Sequence, residues 1–272
     1  MTQLPAHLQK QLVDMATEIA GTGAAPKAQG GGGGVETRYR GASRFLRSMV
    51  SWIPGLRSPD ADLPNSEREI LIARSRDAMR NHMLARAAIG RMRTSVVGTG
   101  LVCYAQVDAE YLGLSPEEGQ QLDTQLNRIW EMYALDPREC DAESGLNHYQ
   151  LQALVLLSAL VSGDVLVATP YIERTGTIFG TRLQLIEADR VCNPGDGLDT
   201  DYLVDGVEFD RDGSPVFYHV ASSYKTGRTF SAQRKWEKLP AFGSETGRRR
   251  TLHVMCDKER PGQKRGAPWL AP

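Results

Sequence analysis

Histidine and cysteine, the side chains that most often carry catalysis or hold metals, are few in this chain and stand far apart. The sequence contains five histidines and four cysteines. None has the spacing of a zinc site, a Cys-x-x-Cys motif or a His-Glu-x-x-His motif. We therefore expect reduced, mostly structural cysteines, and we expect His219 and His253, which fall in predicted strands, to be packed or at a sheet rim and not to be ligands. The histidines and cysteines are His7, His82, His148, His219, His253, Cys103, Cys140, Cys192 and Cys256.

Clustered acids and a polyglycine run are the other candidates for a binding site. Asp196, Asp199 and Asp201 stand close together, but a calcium loop also needs alternating ligands, a central glycine and a distal glutamate. The stretch 199–210 lacks this pattern. Five consecutive glycines, 30–34, have no preceding strand and no following Gly-Lys-Ser/Thr, which a phosphate-binding loop requires. The sequence therefore predicts a protein that is not an enzyme, with no metal and no cofactor.

Charge is unevenly distributed along the chain, although the net charge is only −1. Between Asp108 and Glu143, ten acids stand against Arg128 and Arg138. Basic clusters lie on both sides, at 38–57 and 234–265. Such asymmetry is typical of subunits that pair acidic with basic edges, of a face for an anionic partner, or of an ordinary solvated surface.

The stretch 65–101 is the one around which the chain is organised, and it contains a long helical segment that stops at Gly98–Gly100. Either of its first two residues is a candidate N-cap. Apolar residues recur at helical spacing on both sides of Asn81, where the helix is either continuous or broken. Seven arginines between Arg68 and Arg93 occupy most of the remaining surface. After this segment, Leu101 to Val107 is predicted to be a strand.

Two further helices and a set of antiparallel strands follow. Ser115 and Pro116 mark a helix start, and 147–161 is an apolar helix that ends at Gly163. Helices first and strands later predict an α+β fold with a mostly antiparallel sheet. The predicted strands are 164–172, 182–186, 202–209, 215–221 and 251–255, with a hairpin turn at 210–213.

Three regions are predicted along the chain. A short amphipathic helix occupies 1–20, a Gly-rich flexible linker 21–37, and an α+β domain 38–272. No signal peptide is predicted, and the longest apolar stretch, Leu151 to Val161, is too short to cross a bilayer. We therefore expect no membrane partner.

Six short stretches stand in a recognisable order between Arg38 and the C-terminus. They are Ala73–Asp77 with Arg80 and Asn81, Val96–Leu101, Ser162–Val165, Leu185–Arg190, the hairpin from Gly206–Asp210 to Tyr218–Val220, and Arg260–Pro272. Each is short, but their order and spacing together resemble the portal proteins of tailed bacteriophages, specifically the lambda-type family.

The resemblance implies a fold similar to the α/β wing region of a portal subunit. Members of the family continue beyond the segment that ends at Trp269, so the resemblance covers the N-terminal part only. We expect the central stem, the clip and the crown to be truncated.

The resemblance also implies a function. A portal protein is a structural subunit of a ring, typically dodecameric, at one capsid vertex of the virion, and it assembles in the host cytoplasm. The ring nucleates head assembly and conducts double-stranded DNA, without sequence specificity, during packaging and ejection. Its implied partners are the terminase large subunit, the head–tail connector and the capsid or scaffold proteins.

Two sets of charged residues are candidates for such contacts. Ring closure requires head-to-tail interfaces, which complementary edges favour, and we expect Arg74, Arg76 and Arg80 to face acids such as Glu117 and Glu118 of a neighbour. A conduit suits diffuse contacts to the DNA backbone, for which the candidates are Arg248, Arg249, Arg250, Lys264 and Arg265.

Two other functions remain open from the sequence. A sequence-independent DNA-binding module would use the basic clusters 38–57 and 248–265, the first of which has interleaved aromatic residues. Packing on a neighbouring subunit explains those aromatic residues as well, and we favour it. A phage-associated hydrolase is the third reading, but the chain offers it no nucleophile–base pair.

Overall fold

The structure is a computed structural model that describes residues 47–48, 51–52, 54–225 and 234–271. The predicted N-terminal helix, the Gly-rich linker and most of the segment 38–52 lie outside these residues. The chain divides into two compact units, 1–55 and 56–272. Every helix and strand given below belongs to the second unit.

Six α-helices precede the strands in the described part of the chain. The second and third form the predicted Arg-rich segment, and the fourth lies within the predicted acidic region, 108–143. The helices are α1 (Pro59–Asp62), α2 (Asn65–Asn81), α3 (Met83–Val96), α4 (Pro116–Leu135), α5 (Pro137–Cys140) and α6 (His148–Ser162).

The long helical segment is broken at His82. The backbone of this residue is extended (φ −114°, ψ 111°), its N–H still donates to Ala78 O, and its ring accepts from the N–H of Ala85. His82 therefore ends α2 and caps α3, since its side chain satisfies one of the amides that a helix start leaves without a partner. Of the two alternatives, the break near Asn81 is confirmed.

Capping boxes begin α4 and α6. Ser115 and Glu118 exchange hydrogen bonds between side chain and backbone at the start of α4, and Asn147 and Gln150 do so at the start of α6. These reciprocal bonds satisfy two exposed amides at each helix start. Gly163 ends α6 with φ +90°, as predicted.

Seven antiparallel strands form two sheets in the described residues. The three-stranded sheet has the order β2-β1-β7, and the four-stranded sheet has the order β3-β4-β5-β6. The mixed helical and antiparallel architecture agrees with the predicted α+β class. The strands are β1 (Asp164–Ala168), β2 (Gln184–Glu187), β3 (Leu203–Val204), β4 (Val207–Phe209), β5 (Pro215–Ala221), β6 (Trp236–Pro240) and β7 (Thr251–Met255).

The predicted strand at Leu101–Val107 is wrong, since the segment joins no sheet. Three of its backbone amides donate to side chains of two helices instead. Leu101 N–H donates to Gln152 of α6 (2.7 Å), Ala105 N–H to Asn127 (2.7 Å) and Val107 N–H to Asp123 (2.7 Å) of α4. These amides are therefore unavailable to a neighbouring strand.

Two apolar clusters hold these elements together. Leu166 and Ile186 of the first sheet pack with Val207 and Tyr218 of the second. A smaller cluster joins α3 to α6 around Ile89, which is fully buried. The clusters bring α2, α6 and both sheets to the place where the buried charges lie.

Candidate interaction surfaces

A buried arginine lies where the C-terminal segment crosses the first strand. All five N–H donors of Arg265 have acceptors: both carboxylate oxygens of Asp164 (2.7 and 3.1 Å) and the carbonyl oxygens of Val191, Asp205 and Ala188. A guanidinium has five donors and no acceptor, so this arginine is completely satisfied inside the protein. Its bonds tie the C-terminal segment to β1 and to the loops between the strands.

Opposite charges decide the pKa values of this pair. Burial alone would raise the pKa of Asp164, but the nearby Arg265 holds it well below its usual range. Burial alone would lower the pKa of Arg265, and the carboxylates of Asp164 and Asp205 raise it instead. Both groups are therefore charged in the folded protein, and each depends on the other.

Arg68 of α2 joins the same cluster through Asp205. Its Nε donates to Asp205 Oδ2 at 2.7 Å, and the side chain of Arg68 is 2% exposed. Burial, followed by repulsion from Arg265, lowers the pKa of Arg68, and Asp205 partly offsets this. His253 of β7 completes the cluster through its Nε2, 3.1 Å from Asp164. The cluster thus connects α2, both sheets and the C-terminal segment.

Two glycines allow the backbones to meet beside this cluster. A Cβ added to Gly163 would lie 2.3 Å from Gly266 O, and one added to Gly266 would lie 2.1 Å from Gly163 O. The N–H of Gly266 donates to Asp164 at 3.0 Å. Only glycine permits this approach, so the stretches Ser162–Val165 and Arg260–Pro272 are in direct contact through their glycines and their charges.

A second contact joins two other stretches that carried the resemblance. Arg76 of α2 donates to both carboxylate oxygens of Asp189, from Nη1 at 2.5 Å and Nη2 at 3.1 Å, and also to Ser162 Oγ. Four of the six short stretches found along the sequence therefore meet in space, and Arg76 fastens α2 to the end of α6 and to the turn that follows β2. No local pattern in the sequence indicated that Arg76 and Asp189 are partners.

The residues expected at subunit contacts fall into two groups. Arg74 and Arg80 are exposed on α2 and form no ion pair within the described residues, whereas Arg76 is half-buried and already paired. Glu117 and Glu118 are exposed in the first turn of α4. Bonds from the backbone and side chain of Ser115 lower the pKa of Glu118, so this acid also caps its own helix.

The residues expected to contact DNA are also divided. Arg248, Arg249 and Arg250 are consecutive and exposed. Lys264 instead lies 3.9 Å from the centre of the Phe209 ring and donates to a backbone carbonyl, and burial lowers its pKa. Arg265 is enclosed in the cluster described above. Its burial removes the reason for expecting a DNA contact there, since its donors are already used.

A cavity of about 450 Å³ lies between α2, the segment that follows β2 and residues next to the ends of β5 and β6. Its charges mostly neutralise one another: Arg76 pairs with Asp189, Lys225 with Glu69 and Arg234 with Asp196, while Arg80 at its edge is exposed. The cavity therefore offers little excess charge for an anion.

Other features of the structure concern metals and membranes. His219 of β5 lies 2.9 Å from Glu208, so both strand histidines contact carboxylates. Among the described residues, no group of three or more His, Cys, Asp or Glu side chains is arranged to hold a metal ion. In the same parts of the chain, no helix has both the length and the apolar character needed to cross a bilayer.

Comparison with known proteins supports the family resemblance that these stretches carry. The chain is 26% identical over 231 residues to Portal protein B of Escherichia phage lambda, and 28% identical over 240 residues to the Portal protein of Escherichia phage N15. The matches cover 84% and 88% of this chain but 42% of each relative, so the chain spans less than half the length of these relatives. The family model described as "Phage portal protein, lambda family" matches residues 45–272. The chain belongs to the lambda family of phage portal proteins.

Proposed function

We propose that this chain is a structural subunit of a portal ring at the capsid vertex through which phage DNA is packaged and ejected. The observation that carries the proposal is the family match over residues 45–272. The proposal includes nucleation of head assembly, docking of the terminase large subunit and the head–tail connector, and contact with capsid or scaffold proteins. It gives the chain a structural role and no catalytic one.

Ring formation is supported by the separation of charge on the surface. Arg74 and Arg80 are exposed on α2, and the first turn of α4 presents Glu117 and Glu118. A ring needs two different, complementary surfaces on each subunit, and opposite charges steer such surfaces together and fix their register. We propose that these arginines face the acids of a neighbouring subunit.

Contact with DNA is proposed for Arg248, Arg249 and Arg250. The three side chains are exposed and adjacent, so they can approach phosphates without reading bases. Replacement of all three by glutamine is expected to reduce the slope of log K against log salt by about 3, since each phosphate contact contributes about 0.9. Measurement of duplex binding across a salt series tests this, and an unchanged slope would contradict the assignment.

Negative-stain microscopy with native mass spectrometry tests the ring itself. The purified chain is expected to form closed particles whose mass is an integral multiple of 30.0 kDa. A chain that remains monomeric at every concentration, yet binds DNA tightly and with strong salt dependence, would favour the alternative of a DNA-binding module. That alternative draws its support from the same three exposed arginines.

A further inference from the structure

Helix α3 has two apolar faces, and only one of them packs against other described residues. Ile89 is fully buried, and Met92 packs against the cluster around it. Leu84, Ala87 and Ala88 lie on another face and are exposed, with Leu84 at 75%. Apolar residues on both faces are expected of a helix that packs on two sides. The outer face of α3, defined by these three residues and Arg91, therefore lacks a partner within the described residues.

Helix α3 is also basic, and one of its arginines, Arg91, lies on this outer face. Residues Met83–Val96 include no acid, and Arg86, Arg91 and Arg93 are all exposed. Arg91 lies seven residues after Leu84, so Leu84, Ala87, Ala88 and Arg91 follow the i, i+3, i+4, i+7 spacing of a docking helix. Its partner should combine an apolar floor with negative charge.

A shallow, largely open groove with these properties lies at the C-terminal end of α4. It has a volume of about 570 Å³ and is lined by Arg128, Glu131, Met132, Leu135, Asp136 and Pro137. Met132 and Leu135 are 45% and 57% exposed. The two acids outnumber the one arginine. The carbonyl groups at the end of this 20-residue helix add further negative potential.

We propose that the outer face of α3 in one copy of this chain docks into the groove at the end of α4 in another copy. Apolar side chains then cover apolar side chains, and Arg91 faces Glu131 and Asp136. The two surfaces differ, so each copy offers one of each and the contact is heterologous, as a ring requires. The inference rests on the proposed ring function, and it specifies a contact separate from the one proposed for Arg74 and Arg80.

Cross-linking between differently labelled copies tests the contact. In a Cys103→Ser/Cys256→Ser background, which removes the exposed thiols, Ala87→Cys is introduced into one preparation and Met132→Cys into a second of different mass. A short bismaleimide applied to the mixture is expected to give the mixed dimer in about tenfold excess over a control mixture, because docking raises the local thiol concentration. The control replaces Ala87→Cys with Leu198→Cys, at a residue that is 92% exposed and outside both surfaces.

A charge swap provides a second measurement. Arg91→Glu in full-chain protein is expected to weaken association about tenfold in sedimentation, and Glu131→Arg in the same chain should restore most of the loss. Failure of the second change to restore association would count against the pairing of these two residues.

The outcomes separate this inference from the ring. Rings in negative stain without the specific cross-link would overturn the α3–α4 contact and leave the proposed function intact. The specific cross-link without rings would support the contact and contradict the ring. Absence of both would overturn both proposals.

Discussion

Individual buried charges connect parts of this chain that are far apart in sequence. Asp164 accepts from Arg265, which is 101 residues away, and Arg68 pairs with Asp205 across 137 residues. Such pairs contribute little net stability when intact, because desolvation offsets their attraction, but removal of one partner leaves an uncompensated buried charge. The arrangement of the elements therefore depends strongly on single residues.

Replacement of Asp164 tests this dependence. Asp164→Asn keeps the size of the side chain but removes the closer of the two carboxylates that face the buried Arg265, so the free energy of unfolding is expected to fall by about 3–5 kcal/mol. Urea unfolding followed by circular dichroism measures the change. Asp212→Asn, at an exposed position in the hairpin turn, is the matched control and should have little effect.

The same carboxylate predicts a pH dependence. Burial alone would raise the pKa of Asp164, but the attraction of Arg265 and His253, together with their hydrogen bonds, outweighs burial and holds this pKa well below its usual value. A group with a lowered folded-state pKa contributes stability above its unfolded pKa of about 3.9, and loses that contribution as the pH falls towards the folded value. Stability is therefore expected to fall below about pH 4, and the acid limb should be shallower in Asp164→Asn. Equal acid limbs in the two proteins would contradict the assignment.

Substitution of two glycines by alanine is predicted to change the stability of the protein in opposite directions. Gly266→Ala places a Cβ 2.1 Å from Gly163 O, so we expect a loss of about 3 kcal/mol as the crossing is forced apart. Gly90→Ala, in the middle of α3, meets no heavy atom within 4 Å and should stabilise the protein by up to about 1 kcal/mol. Thermal unfolding of both variants measures the difference, and a neutral Gly266→Ala would be inconsistent with the close approach.

At the scale of elements, boundaries set by local chemistry were predictable. Ser115, Asn147 and Gly163 are capping residues whose types alone mark helix ends, and the turn at 210–213 marks the hairpin. Strand β6 was missed because Trp236–Pro240 lies in a stretch whose charges suggested a solvated surface. Its pairing with β5 is a tertiary property that the local sequence does not encode.

The buried charge cluster could not be predicted from the sequence either. In the sequence, Arg265 follows a basic run and cannot be distinguished from the other arginines and lysines there. Its burial is explained only by Asp164, which the fold places beside it. The resemblance located the right stretches, but it did not show that Arg265 and Arg76 act inside the subunit. Pairing across a hundred residues depends on the whole fold.

The hydrogen bonds that hold the segment 101–107 to α4 can also be tested. Asn127→Ala removes the acceptor for the N–H of Ala105, which is worth about 1 kcal/mol. Amide exchange at Ala105 should therefore accelerate about fivefold, while exchange at Val107, held by Asp123, should change little. Equal acceleration at both amides would indicate that the segment moves as a unit and that these bonds are not independent.

At the scale of the whole molecule, exposed basic and acidic residues are concentrated on different helices, and the proposed ring would place them against each other in neighbouring subunits. Helix α3 carries three arginines and no acid, and α4 carries four acids and one arginine. Within one subunit, the buried acids and arginines are already matched, so the exposed excess remains for other copies or for DNA. Salt should therefore weaken assembly more than it weakens the fold, because exposed charges are screened much more than buried ones.

Reversal of exposed charge on α2 tests the assembly proposed for the whole molecule. Arg74→Glu/Arg80→Glu changes two arginines that have no ion pair within the described residues, so the fold should survive while association weakens about tenfold or more. Arg76→Glu is a poor probe, since it also breaks the internal bonds to Asp189 and Ser162. Arg211→Glu, exposed in the hairpin turn, controls for a charge reversal at a site outside α2. Sedimentation velocity at physiological salt measures the oligomer. Assembly that is unaffected by the double reversal would remove α2 from the subunit interface and leave the α3–α4 contact as the remaining proposed route to a ring.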